Sequence, residues 1–446
     1  MMNASLRHLC LVPSLFLAVL SGFAPGCSSG EDQIMDEPPT DPPIQQPTAA
    51  TYRQDIQPLM TRYCTGCHQS GDIAPFALTD YTAVKSHAGM IAAAVQAGRM
   101  PPWLLGDDSL PVHYSRAMRP QDKKLLLDWL AAGAPEGDAS QTPRTDIPPA
   151  EMATPPRPDL VLKAKTPYLP DRTGIDDYHC FVFDPQLDHD RFIEAGRVNP
   201  DNKSIVHHAL VFLIPPDQAA AVKKLDATGN GYTCFGGPGT QGVAGITIVW
   251  APGGTSMRVP ADTAFKLPKG ALLVMQMHYN RISDNGQPDN TSIELELSDT
   301  APKHELLSLI MAKPSLMIKA GDANSVQSQD APVSIVASRL GLPAGDLTVY
   351  GAFPHMHLLG KKITLATGGN TAINIPRWDF HWQSTYMFQQ PYTLKTTDLL
   401  HIECTYDNSA ANQPVLGGMQ QPPRDVKWGE GTLDEMCVSL LLVSTK

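Results

Sequence analysis

Four short segments hold most of the chemistry this chain offers: Val206-His207-His208-Ala209, Met275-Gln276-Met277-His278, Pro354-His355-Met356-His357 and Asp434-Glu435-Met436-Cys437. They supply five imidazoles and, at Met436, a thioether beside a cysteine. Imidazole binds both Cu(I) and Cu(II), and thioether favours the softer Cu(I), so the set suits a metal that cycles by one electron. His355 and His357 lie two apart, so on a strand both rings leave one face and can chelate one ion. His207 and His208 are adjacent and would leave a regular strand on opposite faces. Joint ligation there requires a bulge or a strand end. His278 closes an apolar run that reads as a strand and can supply a third ring. Met275, Met277 and Met356 read as packing residues. A lone histidine is more often a satisfied core or surface residue, but an HH pair and an HxH pair reverse that expectation.

A second chemistry sits upstream. Cys64-Thr65-Gly66-Cys67-His68 is the attachment pattern of c-type haem, in which the thiols add to the vinyl groups and the histidine becomes the proximal iron ligand. Met100, within Gly98-Arg99-Met100-Pro101-Pro102-Trp103, is the expected sixth ligand, because Met/His ligation raises the reduction potential. Met90, Met118, His87 and His113 compete for that role. The segment resembles a class I cytochrome c, with Leu125 to Trp129 in its closing helix.

The elements that must position these residues divide into two kinds. Between residues 51 and 140 the pattern is helical: 55–64 leads into the haem motif, 81–97 is long and alanine-rich, and 121–132 puts Leu125, Leu126 and Trp129 on one face. Beyond Pro158 the runs 209–214, 272–277, 291–297, 347–351 and 438–443 are short, rich in β-formers and bounded by turn residues. The expected fold class is therefore multidomain: a small all-α cytochrome c-like domain, then two all-β antiparallel jelly-roll or sandwich domains. The expected boundaries are 51–140 for the haem domain, 141–158 for a proline-rich linker, and 159–300 and 301–446 for the β domains.

Residues 1–27 have the shape of an export signal: Arg7 and His8 precede an apolar run too short to span a bilayer, and Cys27 follows small residues as in a lipoprotein cleavage site. The proline-rich stretch 28–50 reads as a disordered tether. The expectation is an exported chain, in a bacterial periplasm or at the cell surface, held to the outer membrane by lipid on Cys27. With Cys10 in the signal and Cys64 and Cys67 on haem, four of the eight cysteines remain: Cys180, Cys234, Cys404 and Cys437. An even number in an oxidising compartment predicts two disulfides. The formal charge of −11 argues against a nucleic-acid partner.

The histidine segments and the final Asp434-Glu435-Met436-Cys437 resemble the copper type II, ascorbate-dependent monooxygenases, the family of peptidylglycine alpha-hydroxylating and dopamine beta-monooxygenases. The likeness spans roughly residues 160–446. It rests on Val206-His207-His208, Gln276-Met277-His278-Tyr279, His355 through Lys361, and the tetrapeptide ending at Cys437. The resemblance implies that His207, His208 and His278 hold an electron-storing copper. It implies that His355, His357 and Met436 hold the copper at which oxygen and substrate react, with Gln276 near the first site. It also implies a Cys404–Cys437 disulfide, leaving Cys180 for Cys234. The implied cofactors are two copper ions, and the implied reductant is ascorbate or a protein electron donor, a role the covalent haem suits.

The implied reaction is hydroxylation of a C–H bond of a small molecule with dioxygen. Phe353 stands where the peptide-amidating enzymes use an arginine to grip a carboxylate, and Val438 and Leu440 replace polar residues. Those apolar groups predict a weakly polar substrate. Two rival readings use the same residues: a non-enzymatic copper and haem redox or copper-handling protein, and a binding module that has lost activity.

Overall fold

The computed structural model describes residues 49–446, apart from 71–73, 149, 152, 172, 241–244, 253, 255, 282–283, 340, 343–344, 417 and 446. The export signal, Cys27 and nearly all of the tether lie outside the described residues.

The C-terminal three-fifths is built from two β-sandwiches, and strand composition explains why. The runs Val206–Ile214, Leu272–Asn280, Leu347–His355 and Val438–Thr445 are dense in Val, Leu, Ile and aromatics and are buried on both faces. In the first sandwich one sheet orders its main strands Tyr232–Thr233, Asp176–Phe183, Leu272–Asn280, Val206–Ile214 and Gly245–Trp250. The facing sheet is centred on Arg191–Asn199 and Ser292–Ser298. In the second sandwich, Leu307–Ala312, Val438–Thr445, Leu347–His355 and Tyr386–Leu394 form one sheet. Ser325–Pro332, Leu399–Tyr406, Gly360–Thr367 and Asn370–Ile375 form the other.

Alternation along the central strands divides their side chains between two cores. Leu347, Val349, Leu441 and Val443 enter the core of the second sandwich. Tyr350, Phe353, Leu440 and Leu442 join Phe181, Val211 and Met275 in the core of the first. A sheet buried on both faces fixes the two sandwiches against one another, and their histidine-bearing strand ends meet.

The expected all-α haem domain is a correction. Among the described residues the chain is mostly β-sheet with six α-helices of 6 to 12 residues, two of them inside the β region. Among the described residues no distinct all-α cytochrome c-like domain is evident. The helices between 52 and 131 gather around Ile56, Leu59, Val84, Leu126 and Trp129, but residues 49–446 form one compact unit. The expected helix over 81–97 is interrupted at His87 into Tyr81–Ser86 and Ala88–Gln96.

The residues that follow are bonded to the second sandwich and not to a separate helical body. Gly106 N donates to Asn374 O (2.8 Å), Leu110 N to Ala372 O (3.2 Å) and His113 N to Met387 O (2.8 Å). Val112 pairs with Phe388. Arg377 caps Ala97 O at 2.7 Å. A chain segment whose backbone groups are satisfied by a sheet edge belongs to that sheet's unit, whatever its local helical pattern suggests.

Candidate metal centre

The first cluster forms at a bulge. Val206 pairs with Tyr279 and His208 with His278, so His207 is the extra residue that the pairing leaves over. The bulge turns two adjacent rings to one side, which a regular strand forbids. His207 Nδ1 lies 3.2 Å from His208 Nδ1, and His278 Nδ1 lies 3.4 Å from His208 Nδ1. One nitrogen from each ring falls within 4.8 Å of the others. Three ring nitrogens converging there could hold a metal ion, and imidazole suits copper among the transition metals.

Two of the three rings are held from behind. His278 Nε2 sits 2.8 Å from Asp176 Oδ1, which commits Nδ1 to the cluster, and its ring stacks on Tyr178 at 4.3 Å. His207 stacks on Phe380 of the second sandwich at 4.2 Å. Asp176 also accepts from Thr432 N (3.0 Å) and Thr432 Oγ1 (2.5 Å). Burial opposes the charge of Asp176, but His278 and Thr432 outweigh it and hold the carboxyl below its ordinary value.

The second cluster sits at the end of Leu347–His355. The His355 and His357 rings are 4.9 Å apart. His355 Nδ1 bonds to Gln383 Oε1 at 2.7 Å, and His357 Nδ1 to Asp434 O at 3.0 Å. Both rings therefore keep Nε2 for a ligand. Glu435 is fully buried and organises the turn: its carboxyl accepts from His357 N (2.9 Å) and Leu359 N (2.6 Å). Burial pushes that carboxyl up to about 8.

Met436 is buried next to this turn, where Tyr406 Oη donates to Met436 O at 2.8 Å. Val438, two residues on, pairs with His355. The disulfides are Cys180–Cys234 (S–S 2.09 Å) and Cys404–Cys437 (2.04 Å), as expected. The two clusters are neighbours, with the His208 and His355 rings 6.0 Å apart.

All four imidazoles of the HH and HxH pairs are held below the ordinary imidazole range, chiefly by burial. His355 is brought down to about 4 and His357 to about 3. They are neutral at neutral pH, as metal ligation demands. The unfolded chain, with imidazoles near about 6.5, takes up protons that the fold refuses, so stability rises with pH across that interval. The metal-free protein is expected to keep its full histidine contribution above pH ~6.5. It then loses about 1.4 kcal/mol per imidazole for each unit of pKa depression as acid approaches the folded values. Thermal melts of the metal-free protein between pH 7 and 4 measure this. A melting temperature in His357→Gln as acid-sensitive as in the parent would contradict it.

Gln276 is two residues from His278 on the same face, but its amide lies on the Cys234 sulfur at 3.7 Å, packed against the disulfide. Of the residues expected to serve a haem, Cys64 and Cys67 lie outside both disulfides, and His68 Nδ1 bonds Phe76 O at 3.0 Å. Met100 and Met118 both pack partly buried against the helical core. Met90 is 56% exposed, His87 stacks on Phe76 at 4.2 Å, and His113 pairs with Glu151 at 3.1 Å.

Asp176, Tyr178, Thr432, Phe380, Gln383 and Glu435 are site residues that sequence reasoning passed over. Glu435 stood inside a segment already singled out. The others are ordinary residues in the sequence and acquire meaning only through tertiary contacts: Asp176 with Thr432 and His207 with Phe380 across the two sandwiches, Tyr178 with His278 and Gln383 with His355 within one.

Comparison with known proteins bears on the same region. Residues 309–443, nearly the whole second sandwich, match the family model of the copper type II ascorbate-dependent monooxygenase C-terminal domain. DBH-like monooxygenase protein 2 of Mus musculus is 23% identical over 274 residues, 58% of this chain and 40% of that protein. Dopamine beta-hydroxylase of Bos taurus is 23% identical over 295 residues, 61% of this chain and 42% of that protein. The chain spans about half the length, or less, of the curated relatives it matches.

Proposed function

We propose that this chain is a copper-dependent monooxygenase that hydroxylates a C–H bond of a small, weakly polar molecule with dioxygen. The observation that carries the reading is the meeting of two unlike donor sets: three converging imidazoles on one sandwich, and an HxH pair beside a buried methionine on the other. The match of the second sandwich to the monooxygenase family model supports it. Copper ions bound there would each supply one electron, the pair needed to split dioxygen so that one oxygen atom enters the substrate and the other leaves as water.

The protein's share is ligation, orientation and shelter. His207, His208 and His278 would hold one ion, and His355, His357 and Met436 the other. Asp176 and Gln383 fix which ring nitrogen faces inward, and burial keeps His207, His208, His355 and His357 neutral. Phe353, 9% exposed and 6.3 Å from the His355 ring, together with Leu440, makes the approach to the second site apolar. A carboxylate there would lose its hydration with no cationic partner on Phe353 to replace it, which disfavours a peptide terminus.

The electron donor belongs to the same proposal. Ascorbate or a protein donor would serve, and Cys64, Cys67 and His68 suit a covalent haem in that role. Each thiol would add across a vinyl group, sulfur to one carbon and hydrogen to the other, with no change of oxidation state. The Phe76 carbonyl on His68 Nδ1 leaves Nε2 free to hold iron, and Met100 would be a second ligand. Export and lipid anchorage through Cys27 complete the setting.

Oxygen uptake by the copper-loaded, reduced protein across a panel of small aromatic and aliphatic substrates tests the activity. Product formed one-for-one with oxygen consumed is the expected result. Reversible copper reduction with no coupled product would leave a redox or copper-handling role in its place.

A further inference from the structure

One side chain of the second sandwich touches a ring of each donor set. Phe380, 6% exposed, stacks on the His207 ring with centroids 4.2 Å apart and planes 20° from parallel, and it meets the His357 ring edge-on at 6.0 Å. Among the described residues it is the one aromatic residue other than histidine with a ring contact to both clusters. We propose that Phe380 is a positioning residue shared by the two sites: it orients His207 on the first sandwich from a loop that the second site holds in place, and so couples copper binding at the two sites. The inference rests on the copper reading given above.

Three observations carry it. His278, His355 and His357 each have one ring nitrogen fixed by an acceptor, supplied by Asp176, Gln383 and Asp434. His207 has no such acceptor: Nδ1 faces His208, and Nε2 is buried without a hydrogen-bond partner. The plane of its ring is therefore left to the stack on Phe380.

The position of Phe380 is in turn set by the second site. Residues 376–385 connect Asn370–Ile375 to Tyr386–Leu394. On one side of Phe380, Trp378 Nε1 donates to His357 O at 3.1 Å. On the other, Gln383 places Oε1 2.7 Å from His355 Nδ1 and donates from Nε2 to Phe380 O at 2.9 Å. The loop is also tied beyond the sandwiches, by Arg377 Nη1 on Ala97 O at 2.7 Å and Arg116 Nη2 on Ser384 Oγ at 3.1 Å.

Fixing the His355 and His357 rings thus fixes Gln383 and Trp378, and through them Phe380 and the plane of His207. Filling either site favours filling the other, since such coupling is reciprocal.

Phe380→Leu and Phe380→Ile, which remove the ring but keep an apolar side chain, and Phe380→Tyr, which keeps the ring, test the proposal. The metal-free proteins are loaded with copper alone, and chelator competition with the Cu(II) EPR spectrum reads the three-imidazole site. Each variant is measured in the full set of ligands and in a background where His355→Ala and His357→Ala have removed the second site. With both sites present, the two ringless variants are expected to bind copper at the three imidazoles about 10-fold more weakly, with a changed hyperfine splitting, while Phe380→Tyr keeps the parent values. Without the second site the affinity should already be lowered, and removing the ring should cost no more than about twofold, the ordinary margin of additivity. Trp378→Phe, which removes the bond to His357 O, should also weaken the three-imidazole site, although Trp378 is bonded only to His357 O and Lys361 O. It carries the test if thermal melts show the ringless variants unfolded. Parent-like affinity and splitting without the ring, or an equal loss with and without the second site, would overturn the proposal. A parent chain that binds no copper at either histidine cluster would remove the copper reading and this inference with it.

Discussion

Replacing Met436 by leucine is expected to lower product formation by about two orders of magnitude or more while the three-imidazole site keeps its copper. Loss of a supporting residue alone typically costs 10- to 100-fold in metal affinity or activity, and Met436 is the proposed ligand itself. The backbone around it is pinned independently of the side chain. Cys437 is bonded to Cys404, Lys313 N donates to Cys437 O at 2.9 Å, and Val438 is paired with both His355 and Ala312. Leucine nearly conserves volume, so the folding cost should stay below about 1.5 kcal/mol. Alanine would add a cavity worth about 2–5 kcal/mol and confuse the two effects. Because thioether favours Cu(I), the variant should lose Cu(I) affinity more than Cu(II) affinity. Chelator competition in each oxidation state, beside turnover, measures this. Parent-like turnover in Met436→Leu would remove the thioether from the chemistry.

Asp176→Ala carries the second large effect, and it reaches both sites. The carboxylate holds His278 from one sandwich and Thr432 from the other, so its removal frees the ring and leaves a buried Thr432 N–H without its acceptor. Copper at the three-imidazole site is expected to bind about 10- to 100-fold more weakly. The loop from Thr432 to Met436 also loses its anchor on the first sandwich, so the affinity of the second site should fall with it. Asp176→Asn preserves the shape and one acceptor, and should fall between parent and alanine. Equal copper affinity at both sites in Asp176→Ala would show that His278 needs no such support.

The sequence spoke clearly where chemistry and local pattern coincide. Joint ligation by the HH pair demanded a bulge or a strand end, and a bulge sits at His207. The β-rich runs become the central strands, and the four late cysteines form two disulfides. It misled where a local pattern was taken for a domain. The helices near the Cys-X-X-Cys-His segment are locally well specified, yet residues 106–116 bond to the second sandwich, a non-local pairing that periodicity cannot reveal. Gln276 stays near His278 in sequence, and the contact its amide makes is with the Cys234 sulfur. Glu435 was invisible for a different reason. A buried carboxyl that receives two backbone N–H groups looks, in sequence, like any surface acid.

X-ray absorption at the copper edge of the Cu(I)-loaded protein tests the central claim most directly, because it counts ligand types without requiring a substrate. Two unlike sites predict two coppers per chain, imidazole scattering at both, and one sulfur scatterer for every two coppers that disappears in Met436→Leu. One copper per chain, no sulfur scatterer, or sulfur scattering that persists in Met436→Leu would contradict the account.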